Sequence, residues 1–150
     1  VGKFPLSLTA YDPHAYSVVY ADEITWGSEV ITFQSHYKLG HSGSDGLKTI
    51  TSPTTLNIYT DGLANKPVIE ITGSATSLSI STNGYNITLP SFTNTAWVID
   101  CKEYSVKRNG VNTFIANLRD FILLTGNNQI DISGSGINIS VRIKLRDKYT

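Results

Sequence analysis

From Ile137 to Leu145 the chain alternates without a break: Ile137, Ile139, Val141, Ile143 and Leu145 are separated by Asn138, Ser140, Arg142 and Lys144. A period of two describes a strand with one buried face and one wet, basic face, and Arg146 extends the basic row. Upstream, Ile130 and Ile132 alternate with Gln129 and Asp131. With Ser133–Gly136 as a four-residue turn, Ile132 faces Ile137, Ile130 faces Ile139 and Asp131 pairs with Asn138 on the solvent side. A three-residue turn would mix the faces. The pattern predicts an antiparallel hairpin over a hydrophobic core.

The same period recurs along the chain. Phe4–Ala10 reads as a strand and is broken by Tyr11-Asp12-Pro13, because a proline donates nothing to a ladder and drives its predecessor out of the helical region. Tyr16–Tyr20, Glu29–Phe33, Thr54–Tyr59 and Pro67–Thr72 are further short strands, with Asp61-Gly62 as a turn. Ala21–Gly27 fits one helical turn or an irregular loop, and Gly40–Gly46 is by composition a domain boundary or a mobile loop. Asn83-Gly84 suits a type I′ turn and sets Ile80 opposite Ile87 and Leu78 opposite Leu89. Ala96–Cys101 reads as a buried strand. Asn109-Gly110 makes a second hairpin, with Tyr104 opposite Ile115 and Val106 opposite Thr113. No segment sustains helical periodicity. Many short strands punctuated by turns predict an all-β antiparallel sandwich or jelly roll over residues 1–150.

Composition narrows the function classes. The 150 residues carry twelve basic and twelve acidic side chains, and only 16% are charged, which leaves no footprint for a nucleic acid or an anionic membrane. No apolar run reaches the roughly 18–20 residues of a membrane helix. Methionine is absent, so the chain is expected to be a processed or excised piece of a longer one. The single cysteine, Cys101, excludes an internal disulfide. Asn86-Ile87-Thr88 and Asn138-Ile139-Ser140 match the glycosylation sequon, but both fall in strand-like stretches of an Asn/Ser/Thr-rich chain and read as chance matches.

Reactive constellations are weak. Gly40-His41-Ser42-Gly43 lacks the Gly-x-Ser-x-Gly spacing and the following helix of a nucleophile elbow. Cys101 shares a strand face with Trp97 and Ile99 and reads as a core thiol. His14, His36 and His41 show no metal-ligand spacing. Asp45, Asp61, Asn127 and Asn128 offer oxygens near turns, without the dense carboxylates of a calcium loop. Trp26, Tyr37 and Tyr85 are aromatic residues in or near turns, where a sandwich lectin stacks a sugar ring. No residue set supports catalysis, and neither a metal nor a cofactor is expected.

Five stretches taken together resemble a known family. Phe121–Ile130 (FILLTGNNQI) resembles the closing signature of siphophage distal tail proteins: a Phe-x-x-Leu run, a Pro/Thr-Gly-x-Asn turn, then an apolar strand. Asp12–Tyr16 resembles the family's Asp-Pro-x-x-Tyr segment and Lys66–Gly73 its Pro-x-Ile-x-Ile-x-Gly strand. Leu78–Leu89 resembles the hairpin that follows, and Val98–Cys101 the Ile-Asp-Cys strand. Thr125 stands where the family often has proline, and Leu118-Arg119-Asp120 replaces a more glycine-rich approach.

The resemblance implies the C-terminal, galectin-like domain of a baseplate hub protein, non-enzymatic and located in the virion at the tail tip, or in the host cytoplasm before assembly. Residues 1–12 would be the last strand of a ring-forming domain otherwise missing here. Its implied partners are the tail tube, the tail-tip lysin and receptor-binding proteins, together with cell-wall glycans. Full-length members form a hexameric ring, whereas the isolated domain is expected to be a monomer. In that setting Arg142, Lys144 and Arg146 become a candidate assembly surface, and Trp26, Tyr37 and Tyr85 candidate glycan or partner contacts.

Overall fold

The computed structural model of the chain describes residues 13–17, 20, 34, 46–116, 118 and 121–150. Among them are twelve strands: β1 (Ala15–Tyr16), β2 (Lys48–Ile50), β3 (Thr54–Thr60), β4 (Val68–Ala75), β5 (Ser77–Thr82), β6 (Tyr85–Leu89), β7 (Phe92–Asp100), β8 (Ser105–Arg108), β9 (Val111–Thr113), β10 (Gly126–Ser135), β11 (Asn138–Lys144) and β12 (Lys148–Tyr149). One sheet has four strands in the order β3-β10-β5-β6, the other has six in the order β2-β11-β4-β7-β8-β9, and β1 pairs with β12 in a ribbon. All the ladders are antiparallel. The fold is an all-β sandwich, as the alternation predicts. The strands predicted at Phe4–Ala10 and Glu29–Phe33 lie outside the described residues, as does all of the Gly40–Gly46 connector except Gly46.

Each sheet turns one face inward. Leu56, Ile58, Leu78, Ile80, Ile87, Leu89, Ile130 and Ile132 come from the four-stranded sheet; Ile69, Ile71, Trp97, Ile99, Val106, Ile139, Val141 and Ile143 come from the six-stranded one. Both sets belong to a single buried cluster, so period-two patterning translates directly into two apolar layers.

The pairing of the last two long strands differs from the predicted hairpin. Ile132 lies opposite Ile80 and Thr54, whereas Ile139 lies opposite Ile50 and Gly73, so β10 and β11 belong to different sheets. Ser133, Gly134 and Ser135 continue the ladder to Ser79, Leu78 and Ser77 instead of turning, and Asn138 sits opposite Ser74 rather than Asp131. The neighbouring run from β4 to β5 crosses between the sheets beside them, and Thr76 N–H donates to Ser135 C=O at 2.9 Å in the corner. Two adjacent strands thus bend together. A bend keeps both apolar faces buried, as a hairpin would, and adds long-range partners on each side.

The corner is built from glycine and a bulge. Gly73 and Gly134 take φ of 138° and 143°, values that L side chains avoid. Between Gly73–Thr95 and Ala75–Phe92 the β4–β7 register shifts, Asn94 turns to φ 44°, and its N–H is held by Ser74 Oγ at 2.9 Å.

Local hairpins follow the sequence closely. Asn83 and Gly84 take φ of 50° and 82°, with Ile80 opposite Ile87 and Leu78 opposite Leu89. Val106 lies opposite Thr113 as predicted. The β8–β9 ladder ends there, however, because Tyr104, at φ 52°, stands in the preceding turn and does not pair with Ile115.

The chain's end is clasped by a buried carboxylate. Asp147, 7% exposed, accepts from Asp61 N–H at 2.9 Å, and its backbone exchanges bonds with Ser17 at 2.8 and 3.0 Å. Burial holds the Asp147 carboxyl above the ordinary value of 3.8; the Asp61 N–H pulls it down and the Asp61 carboxylate pushes it up. The folded state therefore keeps a proton that the unfolded state has released. Stability falls as pH rises from 3.8 through the raised value, and the penalty is absent below 3.8. Asp147→Asn retains the acceptor for Asp61. Its thermal midpoint at pH 7 should exceed that of the parent, and the gain should vanish in melts below pH 3.8.

Candidate functional site

The outer face of the four-stranded sheet is a polar lattice set by the same alternation that builds the core. Asn127, Gln129 and Asp131 project from β10, with Ser81 on β5 and Asn86 on β6 beside them: Asp131 lies opposite Ser81, and Ser81 opposite Asn86. At the hairpin end these residues line a depression of about 510 Å³, and Tyr85, 42% exposed, forms part of its wall. Thr55 Oγ1 donates to Asp131 Oδ1 at 2.6 Å, and Ser79 Oγ donates to Asn86 Oδ1.

Chemically, the depression offers amide donors and acceptors, hydroxyls, one carboxylate and an aromatic ring. That set matches a ligand rich in hydroxyl groups. Among the described residues its lining contains no histidine, cysteine, lysine or arginine. Among the described residues of the lining, Asp131 is the one carboxylate.

One wall is fixed by a buried knot. Asn128 is 1% exposed, and its Oδ1 accepts from Leu124 N–H at 2.8 Å and from Asn83 Nδ2 at 3.0 Å. Its Nδ2 donates to Leu124 C=O at 2.7 Å and Gly126 C=O at 3.1 Å. Asn83 also reaches Ile122 C=O at 3.0 Å. The turn predicted around Asn127 and Asn128 is instead the start of β10, where Gly126, Asn127 and Asn128 pair with Thr60, Tyr59 and Ile58; the type I′ turn and this strand start are locked together beside the depression.

The structure places several of the predicted residues. Asn128, in β10, spends its oxygen on the knot, and Asp61 Oδ1 accepts from Gly62 N–H at 3.0 Å, where Gly62 bridges to Lys148. Asp45, His36, His41, Trp26 and Tyr37 lie outside the described residues. Among the described residues no group of three metal-ligating side chains converges. Arg142 and Lys144 lie on the outer face of β11, an interior strand between β2 and β4, and Lys144 pairs with Glu70 at 3.0 Å. Arg146 follows the strand, its guanidinium carbon over the Tyr20 ring at 4.2 Å from the ring centre.

Cys101 is fully buried, and its thiol is pushed up to about 12, first by burial and then by the neighbouring Asp100 carboxylate, against a lowering by Lys66. A thiol this far from ionisation is no nucleophile. Native protein at pH 8 should leave an aromatic disulfide reagent unreduced, with release of the chromophore only on denaturation; prompt reaction of folded protein would contradict the burial.

The sequence singled out Tyr85 but not Ser81, Asn86, Asn127, Gln129 and Asp131 as its neighbours. Their exposure was legible in the alternation, whereas their convergence depends on β10 pairing with β5. No protein-family model matches the chain, and no curated protein matches it significantly.

Proposed function

We propose that this chain is the C-terminal domain of a phage or prophage distal tail protein, a non-enzymatic part of the tail-tip hub that docks receptor-binding or other tail-tip proteins. The jelly-roll, galectin-like form of the sandwich belongs to the same reading. The observation that carries it is the interlock of two stretches of the family resemblance: Asn83, in the hairpin turn, bonds to Asn128 and Ile122, in the closing signature. Residues about 40 positions apart that separately resemble one family thus act as one structural unit. Particles produced from the genome that encodes the chain should carry an antibody raised against it at the tail tip in negative-stain micrographs. Purified particles with no peptide of this chain by mass spectrometry would overturn the reading.

A second reading, a carbohydrate-binding module contacting host cell-wall glycans, is favoured by the depression at Tyr85. Stacking on the exposed ring and hydrogen bonds to Asp131 and Asn86 would hold a sugar without cleaving it. Titration with solubilised cell-wall polysaccharide should shift the amides of Ser81, Asn86 and Gln129, and Tyr85→Ala should weaken binding about tenfold, the scale of one lost aromatic contact. Unmoved amides at millimolar ligand, or affinity unchanged by Tyr85→Ala, would remove this reading and leave the first intact.

A further inference from the structure

The six-stranded sheet ends in an open edge. β9 is its last strand, and among the described residues no strand lies beyond it. The register fixes which main-chain groups face outward. Asn109 and Gly110, at φ 48° and 79°, make a two-residue turn, so Arg108 and Val111 on either side of it exchange both main-chain bonds. Val106 and Thr113, two places along, do the same. Asn112 lies between these pairs and turns its N–H and C=O away from β8. On the opposite side of the hairpin Asn109 N–H bonds to Ala96 C=O at 2.7 Å, as the same alternation requires. Beyond the ladder to β8, neither Asn112 nor Phe114 has a hydrogen bond among the described residues.

Two large apolar side chains flank this edge. Val111 is 70% exposed and Phe114 89%, more than any other large apolar residue among those described. Three positions apart on an extended chain, they stand on opposite faces. Residues 111–114 carry no charge, no proline and no bulge, the features that keep an edge strand from pairing. Charge selects what can pair there. Residues 104–115 include Lys107 and Arg108 and no aspartate or glutamate, in a chain of zero net charge. Neither cation makes an ion pair among the described residues; the Arg108 guanidinium carbon lies 5.3 Å from the Trp97 ring centre. Lys107 lies opposite Asn112. A strand added to β9 would run two strand spacings, about 10 Å, from the Lys107 main chain, a gap that a lysine and a glutamate side chain together span.

We propose that the β9 edge takes up an extended, acidic segment of another protein as a seventh strand. Its main chain bonds to Asn112 and Phe114, its apolar side chains cover Val111, and its carboxylates lie on the face of Lys107. Main-chain pairing supplies affinity in this mode, and the alternate side chains supply choice of partner. A second copy of the chain is a poorer occupant. Two hairpins of like charge would meet along an edge too short to bury the roughly 800 Å² per partner of a stable complex. The edge and its charge are independent of the tail-protein reading, so failure here leaves that reading standing.

The full 150-residue chain, labelled for amide spectra, is titrated at constant ionic strength with capped peptides of about ten residues. One alternates valine with glutamate, one valine with lysine, and one proline with glutamate. The valine–glutamate peptide should bind saturably, with a dissociation constant on the order of 0.1–1 mM. It should slow hydrogen exchange at the Asn112 and Phe114 amides and leave Val111 and Thr113, already bonded to β8, unchanged. Asn112→Pro deletes an outward N–H and no ladder bond, so the amide spectrum away from β9 should persist while affinity falls about tenfold or more. Phe114→Ala should weaken binding about fivefold and Lys107→Glu about threefold. The lysine peptide should bind more weakly, and the proline peptide, which cannot form a ladder, should protect neither amide. Equal binding of the lysine peptide, protection by the proline peptide, or affinity indifferent to Asn112→Pro and Phe114→Ala would each overturn the proposal. So would self-association of the free chain in sedimentation with Asn112 and Phe114 protected, which would make the occupant a second copy.

Discussion

Gly73→Ala and Gly134→Ala will each cost more than about 4 kcal/mol in urea unfolding, or leave the chain unfolded, while Gly110→Ala will cost about 1–2 kcal/mol. A Cβ on Gly134 would lie 2.0 Å from Ser77 C=O, and one on Gly73 would lie 2.3 Å from Asn138 C=O. In both cases the obstacle is backbone of a paired strand, which cannot move without breaking the ladder through the corner. Their φ values, 143° and 138°, add strain that a side chain cannot relieve. Gly110, at φ 79°, has nothing within 4 Å of its added Cβ, so only the backbone preference is lost. Equal costs at the three positions would mean that the two sheets part easily at the corner.

The same corner explains where sequence reading stopped. Alternation placed Ile130, Ile132, Ile139, Val141 and Ile143 on the buried side, and the structure buries all five. It also located Asn83-Gly84 and the strand register around it, because a two-residue turn specifies its own pairing within a few residues. Ser133–Gly136 has the composition of a turn, and a hairpin there satisfies every local rule. What decides against it is non-local: β4 and β5, some 60 positions away, bend at Gly73 and supply partners to both β11 and β10. Hydrophobic burial is the same in either arrangement, so the apolar pattern cannot distinguish them.

For the candidate sites the limit was similar. Tyr85 was legible as an exposed aromatic beside a turn, and Asn127, Gln129 and Asp131 as a wet row, but nothing local brings the two together. Arg142, Lys144 and Arg146 read as one basic row. In the fold their surroundings separate them: Lys144 is paired with Glu70, and Arg146 lies over the Tyr20 ring. Residues that alternate identically on a strand thus acquire different chemistry from what crosses over them.

Asn128→Ala should lower the unfolding free energy by roughly 2–4 kcal/mol, the cost of stranding several buried polar groups at once. The side chain has two acceptor lone pairs and two N–H donors, and four contacts at 2.7–3.1 Å use them all. Alanine would leave Leu124 N–H, Leu124 C=O and Gly126 C=O to find other partners in a site with almost no access to water. Asn83→Ala removes one of the two donors to Oδ1 from a more exposed position and should cost about 1 kcal/mol. The double variant should cost less than the sum, because the two side chains share a bond. Asn128→Asp separates bonding from packing. It keeps volume and accepts from Leu124 N–H and Asn83, yet turns lone pairs toward the carbonyls of Leu124 and Gly126. At pH 7 it should be at least as damaging as alanine by urea midpoint, whereas an Asp variant near parental stability would show that the knot needs only its acceptor half.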